Sequence, residues 1–316
     1  MKYFVLLFVI MMPSLSSAHS AEDAPEPLKL DALMTAFGWD IDNAEIKYQQ
    51  FDDGISVLFG LGGNIGVSIG DDGVFIIDDQ LPQLMPKIKK VIADLGGDKV
   101  DFAVNTHWHF DHAEGNLALG AEGTWLVAHK NSREMMQGDH LINMVVASYN
   151  QLAYPKTALP DITFADAMQF HINGQTVDLW HFGPAHTTGD TAVYFRESNV
   201  VHLGDVYNNA GYPFIDSGNG GSLDGMIHFC SQVIERINQE TVVIPGHGGV
   251  TGYQALVDYT EMLTLVRNRL MALIKQGASL EDVYAANLTA EFDDKLGSNV
   301  GFLNRAYYSM QSKAKQ

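Results

Sequence analysis

THWHFDHAEGN, Thr106 to Asn116, places His107, His109, Asp111 and His112 within a span of six residues. Such crowding is costly in an ordinary core, because each polar group needs a partner once it leaves water. The stretch follows VDFAVNT (100–106), a short apolar run that predicts a strand. His107 and His109 are two apart, so on an extended segment they point the same way. Asp111 and His112 follow where the chain turns into AEGNLAL, which predicts a helix. A compact set of imidazole and carboxylate groups suits zinc or iron. A chance cluster of hydrogen-bonded polar groups is the alternative.

Three more residues stand in the same kind of place. His186 lies in GPAHTTGDT (183–191), Asp205 in HLGDVYN (202–208) and His247 in PGHGG (245–249). Each occupies a loop of small residues beside a predicted strand. Alone, any of them is weak, since a lone His is more often structural. Together the seven are candidate metal ligands at strand ends facing one sheet edge. Seven ligands exceed what one zinc takes but suit two, with a shared carboxylate and room for water.

The surrounding pattern is layered. ISVLFG (55–60), NIGVSIG (64–70) and VFIIDD (74–79) predict strands, with a hairpin turn at GDDG (70–73). A helix is expected over 82–97, ending at Gly96-Gly97, a strand over 124–129 and a mostly helical segment over 130–152. A hairpin around Asn173-Gly174 spans 164–182, with strands at 191–195 and 199–205. Ser222 begins a helix to 238, TVVI (241–244) is a strand, and 252–277 is a long amphipathic helix. This order implies a layered α/β protein with helices outside sheet. Residues 31–316 read as a single domain finished by C-terminal helices.

Residues 1–18 have the plan of a secretory signal peptide: Met1-Lys2, the apolar run YFVLLFVIMM, then small residues ending at Ser16-Ser17-Ala18. The run is short for a membrane span, so cleavage after Ala18 and a periplasmic or secreted protein are expected, without stable membrane association. Residues 19–30, rich in Pro and charge, predict a flexible leader. Cys230 is the one cysteine, which excludes an internal disulfide. The net charge of −19 repels phosphate backbones, so nucleic acid is not an expected partner and a small-molecule substrate is.

HWHFDH resembles the HxHxDH signature of the metallo-β-lactamase superfamily, and His186, Asp205 and His247 match its remaining ligand positions in order. The resemblance spans roughly residues 50 to 250. It implies a four-layer αββα sandwich with the site at one edge of two sheets. It implies two Zn²⁺, one held by His107, His109 and His186, the other by Asp111, His112 and His247, with Asp205 bridging. A hydroxide between the metals would attack a carbonyl, while catalytic Asp111 orients it and carries a proton toward the leaving group.

Around that set, Asp78 and Asp79 end a strand, and one of them is a candidate to hold the far nitrogen of a ligand histidine. Asp190 is a candidate brace for the His186 loop. The segment 208–222 reads as a mobile cover, with Tyr207, Tyr212 and Phe214 as an apolar substrate wall. His171, His181 and His202 fall inside strands and read as structural.

Asp at position 205 resembles the glyoxalase-II-like and lactonase-like branches, since true metallo-β-lactamases usually carry Cys or Ser there. Export points instead toward β-lactams. The expected activity is therefore an exported dizinc hydrolase of a cyclic amide or ester, β-lactam-like or lactone-like. The alternatives are a thioester hydrolase of glyoxalase-II type and a mononuclear iron dioxygenase acting on sulfur.

Overall fold

The protein is described here by a computed structural model covering residues 24–51 and 54–314. The expected signal peptide and residues 19–23 of the expected leader lie outside the described residues. Among the described residues no helix is long and apolar enough to cross a membrane.

Two sheets carry the fold. The first has seven strands in the spatial order Lys47–Gln50, Ile55–Phe59, Ile65–Gly70, Gly73–Ile77, Val100–Asn105, Trp125–His129, Ile162–Phe164. Pairing is antiparallel through Gly73–Ile77 and parallel from there on. The second has six, in the order Ala167–Ile172, Gln175–Trp180, Ala192–Phe195, Val200–His202, Val242–Ile244, Thr251–Gly252. Asn173 and Gly174 both adopt positive φ at the hairpin turn that opens this sheet, as a two-residue turn requires.

Alternation along single strands sorts side chains into layers. Phe75 and Ile77 point between the sheets and meet Val177, Leu179, Val193 and Phe195. Their neighbours Val74 and Ile76 face outward and join Ile88 and Ile92 of the helix Met85–Asp94. On the far side, Val201 and Val243 of the second sheet pack on Met226 and Phe229 of helix Leu223–Ile234 and on Leu263 and Val266 of helix Tyr253–Lys275. A sheet buried on both faces reads as the near-continuous apolar runs seen in the sequence. The result is helix, sheet, sheet, helix: the four-layer αββα sandwich.

Two local expectations are corrected. The helix expected over 130–152 stops at Met136, and His140–Asn143 and Ser148–Gln151 form an antiparallel hairpin instead. Gly138 follows the helix end, and the methionines that mimicked helical spacing straddle the break. Asn143 Oδ1 accepts the Val145 N–H at 2.9 Å and shapes the turn, where Val145 sits at φ 72. Nor is the leader loose from residue 24 on. Leu28 N–H donates to Ser148 O at 2.9 Å, docking the leader on the hairpin's open edge; unpaired edge groups recruit such a strand. The strand Lys47–Gln50 was not foreseen; all four of its residues are exposed, so no apolar pattern marks it.

His129 offers a test of this packing. Its ring stacks on His181 with centroids 3.7 Å apart. Nδ1 accepts the Asn131 N–H at 3.3 Å, so Nε2 carries the proton donated to Ala165 O at 2.6 Å. Burial, helped by His181, pushes the ring from 6.5 down to about 4. The unfolded chain therefore binds the extra proton first. The stability that neutral His129 contributes is present above about pH 6.5 and is lost as pH falls toward 4. His129→Gln is expected to melt below wild type at pH 7.5, with the gap narrowing by a few degrees at pH 5. A gap independent of pH would place the proton sensitivity elsewhere.

Candidate metal centre

The strands of both sheets deliver the seven residues to one edge. Val100–Asn105 stops just before His107, and His109 stands extended at φ −65 ahead of the short helix Phe110–Ala113, which presents Asp111 and His112. Asp205 follows strand Val200–His202 in a tight turn, and His247 follows Val242–Ile244. The His186 loop is braced by Asp190, whose carboxylate accepts from Ala185 N at 3.1 Å, Thr187 N at 2.9 Å and Thr187 Oγ1 at 2.8 Å.

The ring nitrogens and carboxylate oxygens converge. His109 Nδ1 and His186 Nε2 lie 2.9 Å apart, and both rings stand 4.7–4.8 Å from that of His107. His112 Nε2 and His247 Nε2 lie 3.2 Å apart. Asp205 reaches toward both groups: Oδ1 is 3.1 Å from His112 Nε2 and 3.4 Å from His247 Nε2, and Oδ2 is 3.7 Å from His186 Nε2. Asp111 Oδ2 is 3.3 Å from His247 Nε2. Among the described residues three sets satisfy the spacing of a metal site: His107, His109, His186; His107, His112, Asp205; Asp111, His112, His247.

These residues fit divalent metal. His107 Nε2 is fully buried with no hydrogen-bond partner. An orphaned buried nitrogen is costly, and a cation supplies its partner. Burial, with His112, His186 and His109 close by, holds His107 well below its ordinary range. Burial likewise lowers His186. At His112 burial also opposes charge, yet Asp205, Asp111 and Asp78 outweigh it and raise the ring well above its usual range. At His247 burial is outweighed by Asp205 and Asp111, lifting the ring to about 10. His107 and His186 are thus kept neutral, while the other half is rich in carboxylate, a donor set suited to cations. Backbone makes room: a Cβ on Gly246 would lie 2.0 Å from Asp205 Oδ1, and one on Gly63 2.1 Å from His112 Cε1.

Outer contacts orient the rings. Asp78 Oδ2 accepts from His112 Nδ1 at 2.7 Å. Asp79 does not reach a ligand side chain: its Oδ1 has no partner, and its Oδ2 meets Asn105 Nδ2 at 3.4 Å. Burial and the neighbouring Asp78 push its carboxyl well up, so Asp79 is removed from the bracing set. The sequence reading missed Asp216, whose Oδ2 is 3.0 Å from His109 Nε2. Phe214 O accepts from His186 Nδ1 at 2.8 Å. Both lie in the 208–222 segment, which therefore fixes ligand rings as well as covering them.

A cavity of about 770 Å³ opens over the cluster, with Asp111, Asp205, His109 and His247 in its floor and Tyr212 and Phe214 in its wall. The Tyr212 ring stacks on Phe302 at 5.3 Å, and its hydroxyl donates to Asp293 Oδ1 at 2.7 Å, so the expected mobile cover is tied to the C-terminal helices. Tyr207 is corrected. It is buried beneath the site, edge-on to Tyr259, and does not line the cavity. Buried Trp108 is core, as is His202, which contacts Asn64 O at 3.0 Å.

The family model for the metallo-beta-lactamase superfamily matches residues 59–258. Among solved structures, a metallo-beta-lactamase from Pontibacter korlensis is similar at 17% identity and TM-score 0.57, over 70% of this chain and 99% of that one. DIM-1 metallo-beta-lactamase is similar at 18% identity and TM-score 0.55, over 69% and 96%. The stereoselective inverting sec-alkylsulfatase Pisa1 from Pseudomonas sp. is similar at 15% identity and TM-score 0.62, over 84% of this chain and 50% of that one. At these identities the likeness speaks for the fold.

Proposed function

Because the chain belongs to the metallo-β-lactamase superfamily, whose members are mostly metal-dependent hydrolases, we propose that it is an exported dinuclear zinc hydrolase that opens a cyclic amide or ester, β-lactam-like or lactone-like. The observation that carries this is Asp205, whose two oxygens turn toward the two ligand groups. Bound zinc would supply a hydroxide nucleophile at neutral pH and polarise the scissile carbonyl. The chain's own residues do the rest. His107, His109 and His186 would hold one ion; Asp111, His112 and His247 the other. Asp111 also faces the cavity, where its carboxylate can orient the nucleophile and pass a proton to the leaving group. Phe214, with its ring 6.0 Å from His109 and 5.7 Å from His186, shields that floor from water. Export rests on the amino-terminal sequence.

Metal analysis tests the reading. The purified chain is expected to carry about two zinc ions, counted by native mass spectrometry. Chelation is expected to abolish hydrolysis of a β-lactam and lactone panel. Ligand at roughly 1,000 times its dissociation constant contributes about 4 kcal/mol, so chelation should lower the melting temperature on the order of 10 °C. One iron per chain with activity on a sulfur substrate would favour the dioxygenase instead, and full activity in metal-free protein would end the proposal.

A further inference from the structure

We propose that the cavity over the metal centre holds an uncharged alkyl or acyl arm of the substrate, and that residues outside the family-matched region select it. The inference rests on the hydrolase reading for the scissile bond alone. Trp39 and Phe37 enter the cavity from before residue 59, and Phe302 enters from helix Val300–Ala314, beyond residue 258. Met144 and Val146, from the hairpin that replaces the expected helix, and Phe214 add to the apolar lining. Val146 is 78% exposed, an unusual position for an apolar side chain unless the mouth itself meets apolar groups.

Charge decides the substrate class. Among the described residues lining the cavity there is no Lys or Arg, and the only acids are Asp111 and Asp205, both in the ligand cluster. Asn208 and Ser298 are polar but neutral, and the Tyr212 hydroxyl is taken by Asp293. The floor's charges are committed to one another, His247 to Asp111 at 3.3 Å and to Asp205 at 3.4 Å. A carboxylate carried into the cavity would therefore lose water without gaining a free cation, and an ammonium would find no free acid. A lactone or ester with a hydrocarbon arm fits; a bicyclic β-lactam bearing a ring carboxylate fits poorly.

The experiment has two arms. In the first, calorimetry measures 1-octanol, octanoate and octyltrimethylammonium binding to the full zinc-free chain. Octanol is expected to bind at least tenfold more tightly than either ion. Trp39→Ala, with melting temperature checked, should weaken octanol. Val146→Lys, at an exposed position, should shift preference toward octanoate by roughly two- to fivefold. In the second, γ-lactones with ethyl, butyl and hexyl arms are compared in the zinc enzyme, and kcat/KM should rise roughly two- to fourfold per methylene. If octanol fails to bind, or either ion matches it, the apolar subsite is wrong whatever the enzyme hydrolyses. If octanol binds as expected but no lactone or ester is opened, the subsite stands and the hydrolase reading falls.

Discussion

Asp205→Asn is expected to leave the chain folded, to drop its zinc content from two to one, and to cut turnover by roughly a hundredfold or more. That exceeds the 10- to 100-fold typical of losing a group that merely supports a ligand. The amide keeps the carboxylate's shape but replaces one acceptor oxygen with a donor and removes the charge between the two ligand groups. The oxygens at stake lie 3.1 Å from His112 Nε2 and 3.7 Å from His186 Nε2. Lengthening the arm is no remedy. The space beside Oδ1 exists because position 246 lacks a Cβ, which would sit 2.0 Å away. Asp205→Glu should therefore fail as well, with Gly246 backbone in the path of the extra methylene. An Asp205→Asn protein holding two zinc ions at normal turnover would show that Asp205 is not shared.

What the sequence could and could not reveal follows from range. His107, Asp205 and His247 closely follow strand ends, and the HWHFDH run alone brings four of the seven within six residues, so much of the cluster is written locally. Asp216 carries no such mark. It lies 107 residues from His109 in sequence, and only the fold brings the two within 3.0 Å. The Asp78-Asp79 pair shows the limit within one dipeptide. Asp78 takes φ 63 and turns to His112, whereas its neighbour turns to Asn105, and no local pattern distinguishes them. Tyr207 was misplaced because an aromatic next to a ligand can face either way from its loop. The hairpin 140–151 was hidden by methionines at helical spacing. The cavity walls were the least legible part, since they join residues 37–39, 142–146 and 298–302, which no stretch of sequence connects.

Asp78 is expected to control both halves of the centre through proton placement. Its Oδ1 accepts the Thr106 N–H at 2.7 Å; its Oδ2 accepts the Thr106 hydroxyl at 2.8 Å and His112 Nδ1 at 2.7 Å. Because the Thr106 hydrogen is committed to Asp78, Thr106 Oγ1 accepts from His107 Nδ1 at 3.0 Å. His107 thus keeps its proton on Nδ1, which accounts for its orphaned Nε2. His112, once it gives up its second proton, would keep Nδ1–H on Asp78 and turn a free Nε2 toward the cluster. Asp78→Asn tolerates the positive φ, as Asn does, but sets an amide donor against His112 Nδ1–H. The ring should move its proton to Nε2 and lose its ligand lone pair. Zinc affinity is expected to fall 10- to 100-fold, while Asp78→Ala, which strands several buried donors, should also cost about 3–5 kcal/mol of stability. Thr106→Val separates the two rings, because it breaks the relay to His107 and spares the bond from Asp78 to His112. It should weaken one zinc and leave the other near its wild-type affinity. Nitrogen-15 spectra report the His107 tautomer in the zinc-free proteins and the His112 tautomer in the zinc-loaded ones. His107 and His112 unchanged in Asp78→Asn would mean that the carboxylate supports the fold without setting the ligands.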